Sequence, residues 1–216
     1  MAHHTVRSGY ESLVERLNRL PQGAPPSDAL YAILKLLFSE QEAGLVAQLP
    51  IRAFTARHAA QIWKMREAEA QKVLDALASR AILLDMVAPD GAITYVLPPP
   101  MAGFFEFSMM RLRGDVDQKL LGELFYQYIN VEEEFITALF MSETRLGRAF
   151  VNEDMLLPEQ MLTVLDYERA SEVVRSASER AVGICYCRHK MEHMHRACDA
   201  PMDICMTFNT AAAALA

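Results

Sequence analysis

Apolar positions recur with helical spacing in three segments of the first 80 residues. In residues 27–37, which begin with a capping serine, they stand at i, i+3, i+4 and i+7 and are Leu30, Ile33, Leu34 and Leu37. Residues 55–63 and 66–80 carry stripes of the same period. The spacing therefore predicts three amphipathic helices in succession, with Trp63 and Leu74 in the core.

Two β-rich runs, residues 81–87 and 93–97, flank the turn sequence Pro89-Asp90-Gly91. An Asp-Gly pair between apolar runs is typical of a β-hairpin. Three helices followed by a hairpin is the element order of a winged helix. We therefore predict a winged-helix-like domain over residues 27–102, preceded by an arm, residues 1–26, that ends in a helix-breaking proline-rich stretch.

Residues 103–216 are predicted to form a second, helical domain. Apolar positions recur with helical spacing from residue 116 to 140 and break near Asn130-Val131, which favours two packed helices or one bent helix. The following stretch is less regular and carries a predicted short strand at Phe150-Val151. A further helix, residues 167–181, is expected to turn its apolar side chains inward and lead to the cysteines.

These elements assign the chain to the mainly α class, of the α+β type, ending in a cysteine-rich metal loop at residues 184–206. The composition, 52% apolar and 23% charged, is typical of folded domains with hydrophobic cores. No apolar run approaches the roughly 20 residues that span a bilayer. The polar N-terminus lacks the apolar segment of an export signal. We therefore expect a soluble, cytoplasmic protein without a membrane partner.

The chain is acidic, with 21 Lys and Arg against 28 Asp and Glu and a pI near 5.4. A molecule of this charge lacks the field that drives nonspecific nucleic-acid binding. The helix predicted at 66–80 is also charge-balanced, with Arg66, Lys72 and Arg80 against Glu67, Glu69 and Asp75. DNA remains the alternative partner because the chain has a local basic group, made up of Arg52, Arg57, Lys64 and Arg66. We expect any DNA binding to be weak and independent of sequence.

All four cysteines lie in the last 32 residues with the spacing C-x-C-x10-C-x6-C, and they are Cys185, Cys187, Cys198 and Cys205. Clustered thiols in a chain without an export signal are typical of metal ligands. Four thiolates are the full ligand set of a [4Fe-4S] cluster or of a structural zinc, and the spacing selects neither. Because residues two apart cannot share a helix face, an extended loop is expected to present the first pair.

Three histidines lie between these cysteines, at His189, His193 and His195, and mixed Cys/His zinc coordination stays open because of them. The first two match the H-x-x-E-H signature of one class of zinc proteases, which we interpret as coincidence. Taken singly, these histidines are expected to be exposed loop residues. The nearby cations Arg188, Lys190 and Arg196 weakly favour an anionic iron–sulfur centre.

The segments 184–190 and 198–206, ICYCRHK and CDAPMDICM, resemble the cysteine block of a family of bacterial and archaeal (4Fe-4S) ferredoxin-type iron–sulfur binding proteins. The likeness extends over most of the chain, in residues 25–27, 38–40, 78–85, 97–107 and 165–170. The resemblance implies cluster binding and electron transfer, with the four cysteines as cluster ligands. Relatives usually continue into further cysteine-rich ferredoxin motifs, so the chain is expected to be an N-terminal fragment.

Two functions are consistent with these motifs. The first is an iron–sulfur electron-transfer protein with a redox partner protein, acting within a larger redox system. The second is a winged-helix regulator in which zinc or an iron–sulfur centre acts as a sensor or stabilises the structure. A stand-alone enzyme is disfavoured because the chain has no nucleophile elbow, phosphate-binding glycine loop or dinucleotide fingerprint. A homo-oligomer is compatible with the sequence.

Overall fold

The computed structural model describes residues 7–88, 90–141 and 167–215 of the chain. Within these ranges the protein is mainly helical, and its strands form two separate two-stranded antiparallel sheets. This confirms the predicted mainly α class with some β structure. None of the described helices has the length and apolar character needed to cross a membrane.

The N-terminal segment is part of the core. Helix α1 (Gly9–Leu17) packs along helix α3 (Glu40–Ala47) and buries Leu13 and Leu17 completely. The two backbones approach so closely at Gly9 that an added Cβ would lie 2.4 Å from a carbonyl oxygen of α3. Only glycine fits this contact. Residues 9–17 of the segment predicted as an arm therefore form a packed helix.

The three helices predicted from the apolar spacing are confirmed as α2 (Asp28–Leu37), α4 (Ala56–Trp63) and α5 (Glu67–Ser79). Trp63 and Leu74 are buried as expected. The prediction lacked α3, because its first turn is charged and its apolar stripe is short. Its local signal is the capping box of Ser39 and Glu42.

Strands β1 (Leu84–Val87) and β2 (Ile93–Val96) form the predicted hairpin, and Gly91 takes a positive φ of 82° in its turn. A further bridge pairs Phe54 with Tyr95. The Tyr95 hydroxyl donates to Asp75 of α5 at 2.6 Å. The hairpin is thus fixed both to the segment before α4 and to α5.

The middle of the chain is an aromatic helical layer. A π-helical turn (Pro100–Phe104) leads into α6 (Phe105–Met109), and α7 (Gln118–Tyr126) continues through a second π-helical turn (Gln127–Val131) to α8 (Glu133–Phe140). The break predicted near Asn130-Val131 is this second turn. Rings of the layer pack edge to face or tilted, and they are Phe104, Phe105, Phe125, Tyr128 and Phe135.

The last described part contains α9 (Tyr167–Ser176), β3 (Arg180–Gly183), α10 (Tyr186–His193), β4 (Cys205–Phe208) and α11 (Asn209–Leu215). The helix predicted over residues 167–181 ends five residues early, at Ser176, and none of the residues of α9 is buried, contrary to expectation; Ala177, which directly follows it, is buried as expected. Helix α11 contacts β1 and so joins this part to the hairpin. The strand predicted at Phe150-Val151 lies outside the described residues.

Candidate metal centre

The four cysteines lie on one small unit, residues 180–208, which we call the cysteine module. Cys185 is the N-cap of α10, Cys187 lies in its first turn, and Cys205 begins β4. The β3–β4 ladder pairs Gly183 with Cys205, so its register brings Cys205 beside the start of α10. The Cys185 amide donates to the Met202 carbonyl at 2.7 Å. This bond holds the segment between Cys198 and Cys205 beside the start of α10.

The C-x-C pair is not presented by an extended loop as predicted. Cys185 has extended backbone angles, φ −65° and ψ 106°, whereas Cys187 is helical. The rule that residues two apart point to different helix faces applies only inside a helix. A pair that spans a helix N-terminus is free of that restriction, and α10 accordingly occupies much of the predicted loop.

Cys198 is exposed and is joined to α10 by Arg188. The guanidinium Nε donates to Cys198 Sγ at 3.0 Å, and a terminal nitrogen donates to the Pro201 carbonyl at 3.2 Å. The same side chain interacts with the Cys185 thiol. A hydrogen bond from the Ala200 amide, followed by that from Arg188, lowers the pKa of Cys198. Arg188 therefore holds the outlying cysteine near the helix N-terminus.

The other thiols influence one another. Burial raises the pKa of Cys187, and the neighbouring Cys185 and Cys205 raise it further. Burial likewise raises the pKa of Cys205, with a contribution from Cys185. These directions agree with the geometry, in which the β3–β4 ladder places Cys205 beside the start of α10, where Cys185 and Cys187 lie.

All four cysteines are free thiols. No three or more His, Cys, Asp or Glu side chains in the described part of the chain are arranged to hold a metal ion. The structure therefore gathers the predicted ligands without bringing three of them to the spacing of a single-ion site. Their chemistry fits a thiophilic group, because soft thiolates select iron–sulfur clusters, zinc or Cu(I) over hard cations.

The histidines are placed differently from the cysteines. His189 is only 6% exposed, and its Nδ1 lies 2.8 Å from the Met109 carbonyl oxygen. The His193 ring lies 5.1 Å from it, and its Nε2 is buried without a hydrogen-bond partner among the described residues. Both rings line a cavity of about 600 Å³. The expectation of exposed loop histidines holds only for His195, because α10 packs its other face against α6 and α7.

Sequence reasoning missed two residues on the far side of α10. Asn130, in the second π-helical turn, accepts a hydrogen bond from Lys190 at 2.8 Å. Glu106, in α6, acts on the ionisation of both Lys190 and Cys187. No local pattern marks either residue, because each meets α10 only through the packing of distant helices.

The helix expected to contact DNA, α5, uses its polar side chains within the protein. The Gln71 amide donates to Asp75 at 2.7 Å and to the Tyr95 hydroxyl. Arg57 and Arg66 pair with the α5 carboxylates Glu67 and Glu69. The amide that would read a base edge is thus engaged, and two members of the basic group are neutralised.

Comparison of the chain with protein-family models, curated proteins and solved structures gave no match. The resemblance to iron–sulfur binding proteins therefore stays a prediction that rests on the motifs quoted above.

Proposed function

We propose that the chain binds a [4Fe-4S] cluster through Cys185, Cys187, Cys198 and Cys205 and acts in electron transfer. The observation that carries this proposal is the cysteine module, which holds every cysteine of the chain as a free thiol around the N-terminus of α10. Three of these thiols lie at the start of α10 and of β4, which the β3–β4 ladder brings together, and Arg188 donates a hydrogen bond to the fourth.

We favour a cluster over the alternative, a single zinc ion, because of the resemblance to iron–sulfur binding proteins and the cations beside the thiols. Sulfur ligands stand roughly 6–7 Å apart around a cubane but only about 4 Å apart around one zinc. Two cations of α10, Arg188 and Lys190, lie on the same helix turn as the ligands, and a four-thiolate cluster carries net negative charge.

When bound, the cluster would supply one-electron chemistry. The chain's own residues hold the thiolates and leave two of them, Cys187 and Cys198, exposed at the surface. We infer that a redox partner protein approaches from this side, since electron exchange needs a short path to the cluster. The larger redox system and a cytoplasmic, reducing setting belong to the same proposal.

We also infer that residues 27–102 form a winged-helix-like domain. Its support is the order α2, α3, α4, α5, β1, β2, in which α3 is an additional helix, together with the Phe54–Tyr95 bridge, which adds a third strand position to the hairpin. Because Gln71 of α5 is hydrogen-bonded to Asp75 and Tyr95 and Arg66 pairs with Glu69 at the surface, this unit suits protein docking better than reading of DNA. The regulator hypothesis is therefore the weaker one.

The test is anaerobic purification followed by iron, sulfide and zinc analysis. We expect about four iron and four sulfide per chain, with broad absorbance near 400 nm. Cys→Ser replacement at each of the four positions should abolish that absorbance, whereas His195→Gln should leave it intact. Stoichiometric zinc without the absorbance would instead support the zinc alternative, and protein that binds neither group would refute the proposal.

A further inference from the structure

A lysine is buried beneath the cysteine module. Lys190, on α10, is 6% exposed, and its ammonium donates to the neutral side-chain oxygen of Asn130 at 2.8 Å. The same nitrogen lies 5.5 Å from the centre of the Tyr186 ring. An ammonium group has three N–H donors and a full positive charge, so one neutral acceptor and a ring face satisfy it only in part.

This cation has no carboxylate partner within salt-bridge distance in residues 7–88, 90–141 or 167–215. Burial lowers the pKa of Lys190, and the groups that oppose this shift are first Cys187 and then Glu106. Burying a charge without a close counter-ion is costly, and proteins rarely retain one without a function. Cys187 precedes Lys190 by one helical turn of α10, so a thiolate held there by a bound centre would be an anionic neighbour of this ammonium.

The geometry explains this closeness. Lys190 lies three residues after Cys187, which is one helical turn along α10, so the two side chains leave neighbouring parts of the helix surface. The π-helical turn Gln127–Val131 supplies Asn130 from the opposite side and keeps the ammonium in place. The Tyr186 hydroxyl in the same layer is also buried without a partner among the described residues. Among the described residues, the layer under the thiols thus contains a buried ammonium with no carboxylate within salt-bridge distance.

We propose that Lys190 is the internal counter-charge of the metal centre, a positioning residue whose buried ammonium stabilises the anionic thiolate group and raises its reduction potential. This inference rests on the proposed function. A positive charge in a region of low dielectric stabilises the reduced, more negative state more than the oxidised one. The bound centre in turn supplies the negative charge that the buried ammonium lacks in the metal-free protein.

A structural role for Lys190 predicts a different outcome. If the lysine served only to hold α10 to Asn130, its loss would destabilise the metal-free and the loaded protein alike. If it is the counter-charge, its replacement by an apolar residue of similar length removes an unpaired buried cation from the metal-free protein. Such replacements are often neutral or stabilising. The two roles therefore predict opposite changes in the metal-free state.

The experiment compares Lys190→Met and Lys190→Gln with the matched charge control Lys119→Met, which removes an exposed lysine of α7. We expect the metal-free Lys190→Met protein to be at least as resistant to urea as the wild type. In the loaded proteins, both Lys190 variants should shift the one-electron equilibrium about tenfold toward the oxidised state, a fall in potential of about 59 mV. The control should shift it less than about twofold.

Three results would overturn the inference. The first is a metal-free Lys190→Met protein that is less stable than the metal-free wild type. The others are a reduction potential that is unchanged in both Lys190 variants, or one that is unchanged in Lys190→Gln alone. If the wild type takes up zinc instead, the readout becomes zinc retention against a chelator, where both variants should lose about tenfold in affinity. A wild type that binds neither group refutes the proposed function as well. Normal loading with an unchanged Lys190 variant refutes only this inference.

Discussion

The two ends of the described chain are stabilised in different ways. Helices α1 to α8 bury large apolar side chains completely, among them Leu30, Ile33, Phe104 and Phe105. From residue 167 onward, the buried apolar side chains of the described residues are Ala177, Tyr186 and Ala212. The first region is therefore stabilised by burial, whereas the cysteine module depends on backbone hydrogen bonds and a four-residue ladder.

This contrast bears on function. A segment as small as the cysteine module cannot remove enough apolar surface from water to offset the entropy of ordering its chain. Small modules with clustered thiols commonly obtain the missing free energy from metal ligation. The scarcity of buried apolar side chains in the cysteine module, where Tyr186 is the one described example, is thus what a ligation-stabilised unit would show, and it makes the two regions separable by experiment.

The largest expected effect is on the apolar region. Phe105 is fully buried and its ring packs against those of Phe104, Phe125 and Phe135. Phe105→Ala should lower the free energy of unfolding by about 3–5 kcal/mol, since it removes apolar contacts and leaves a cavity. Urea denaturation followed by circular dichroism measures this. The exposed Phe140→Ala is the control, and a loss below about 1 kcal/mol for Phe105→Ala would contradict the proposed source of stability.

Removal of the metal tests the other region. Chelation of the anaerobically loaded protein should raise amide hydrogen exchange in β3 and β4 at least about tenfold, because ligation no longer opposes local opening. Exchange in α2 and α5 should stay unchanged, since burial stabilises these helices. Equal protection of the cysteine module with and without metal would show that ligation does not stabilise it.

Arg188 is expected to have a smaller, local effect. In the metal-free reduced protein, Cys198 has a lowered pKa, so its reactive thiolate persists to lower pH than that of Cys187 or Cys205, whose pKa values are raised. Iodoacetamide should therefore modify Cys198 first at pH 7. Arg188→Gln should slow this modification by about threefold, because the thiolate loses a donor.

Mass-spectrometric mapping of the alkylated cysteines measures these rates. Arg196→Gln, which removes an exposed arginine of the same loop, provides the control. Equal rates at all of the cysteines in the wild type would contradict the environments described for them.

The smallest expected effect is a pH dependence in the apolar region. Burial tends to raise the pKa of Glu42, but the Ser39 amide and Arg80 outweigh it and lower that pKa. A carboxylate with a lowered folded-state pKa adds stability above its unfolded-state pKa, and this contribution is lost as the pH falls through the folded value. Glu42→Gln should therefore cost less than about 1 kcal/mol at pH 7.

At pH 3 the cost of Glu42→Gln should be smaller still, since a larger fraction of the wild-type carboxyl is protonated there than at pH 7. Urea denaturation at both pH values measures the difference, with the exposed Glu67→Gln as control. A cost that does not change between pH 7 and pH 3 would show that the carboxylate charge is unimportant to this end of α3.

Local patterns identified much of the fold. The periodic stripes located α2, α4 and α5, and the Asp-Gly pair located the hairpin, because each of these elements exposes one face and buries the other. Helix α9 shows where the same reasoning fails. Its apolar residues are spaced for burial, yet no described residue of α9 is buried, since periodicity identifies an apolar face without identifying what covers it.

The sequence by itself also determined which residues are candidate ligands, because a thiol's chemistry belongs to the side chain and the cysteine spacing is local. Only the tertiary structure decided what surrounds them. The contacts of Lys190 with Asn130 and of His189 with Met109 join residues 60 and 80 positions apart. Such pairs arise from the packing of α10 on α6 and α7, which no window along the chain contains. The charge and burial beneath the thiols are therefore properties of the fold.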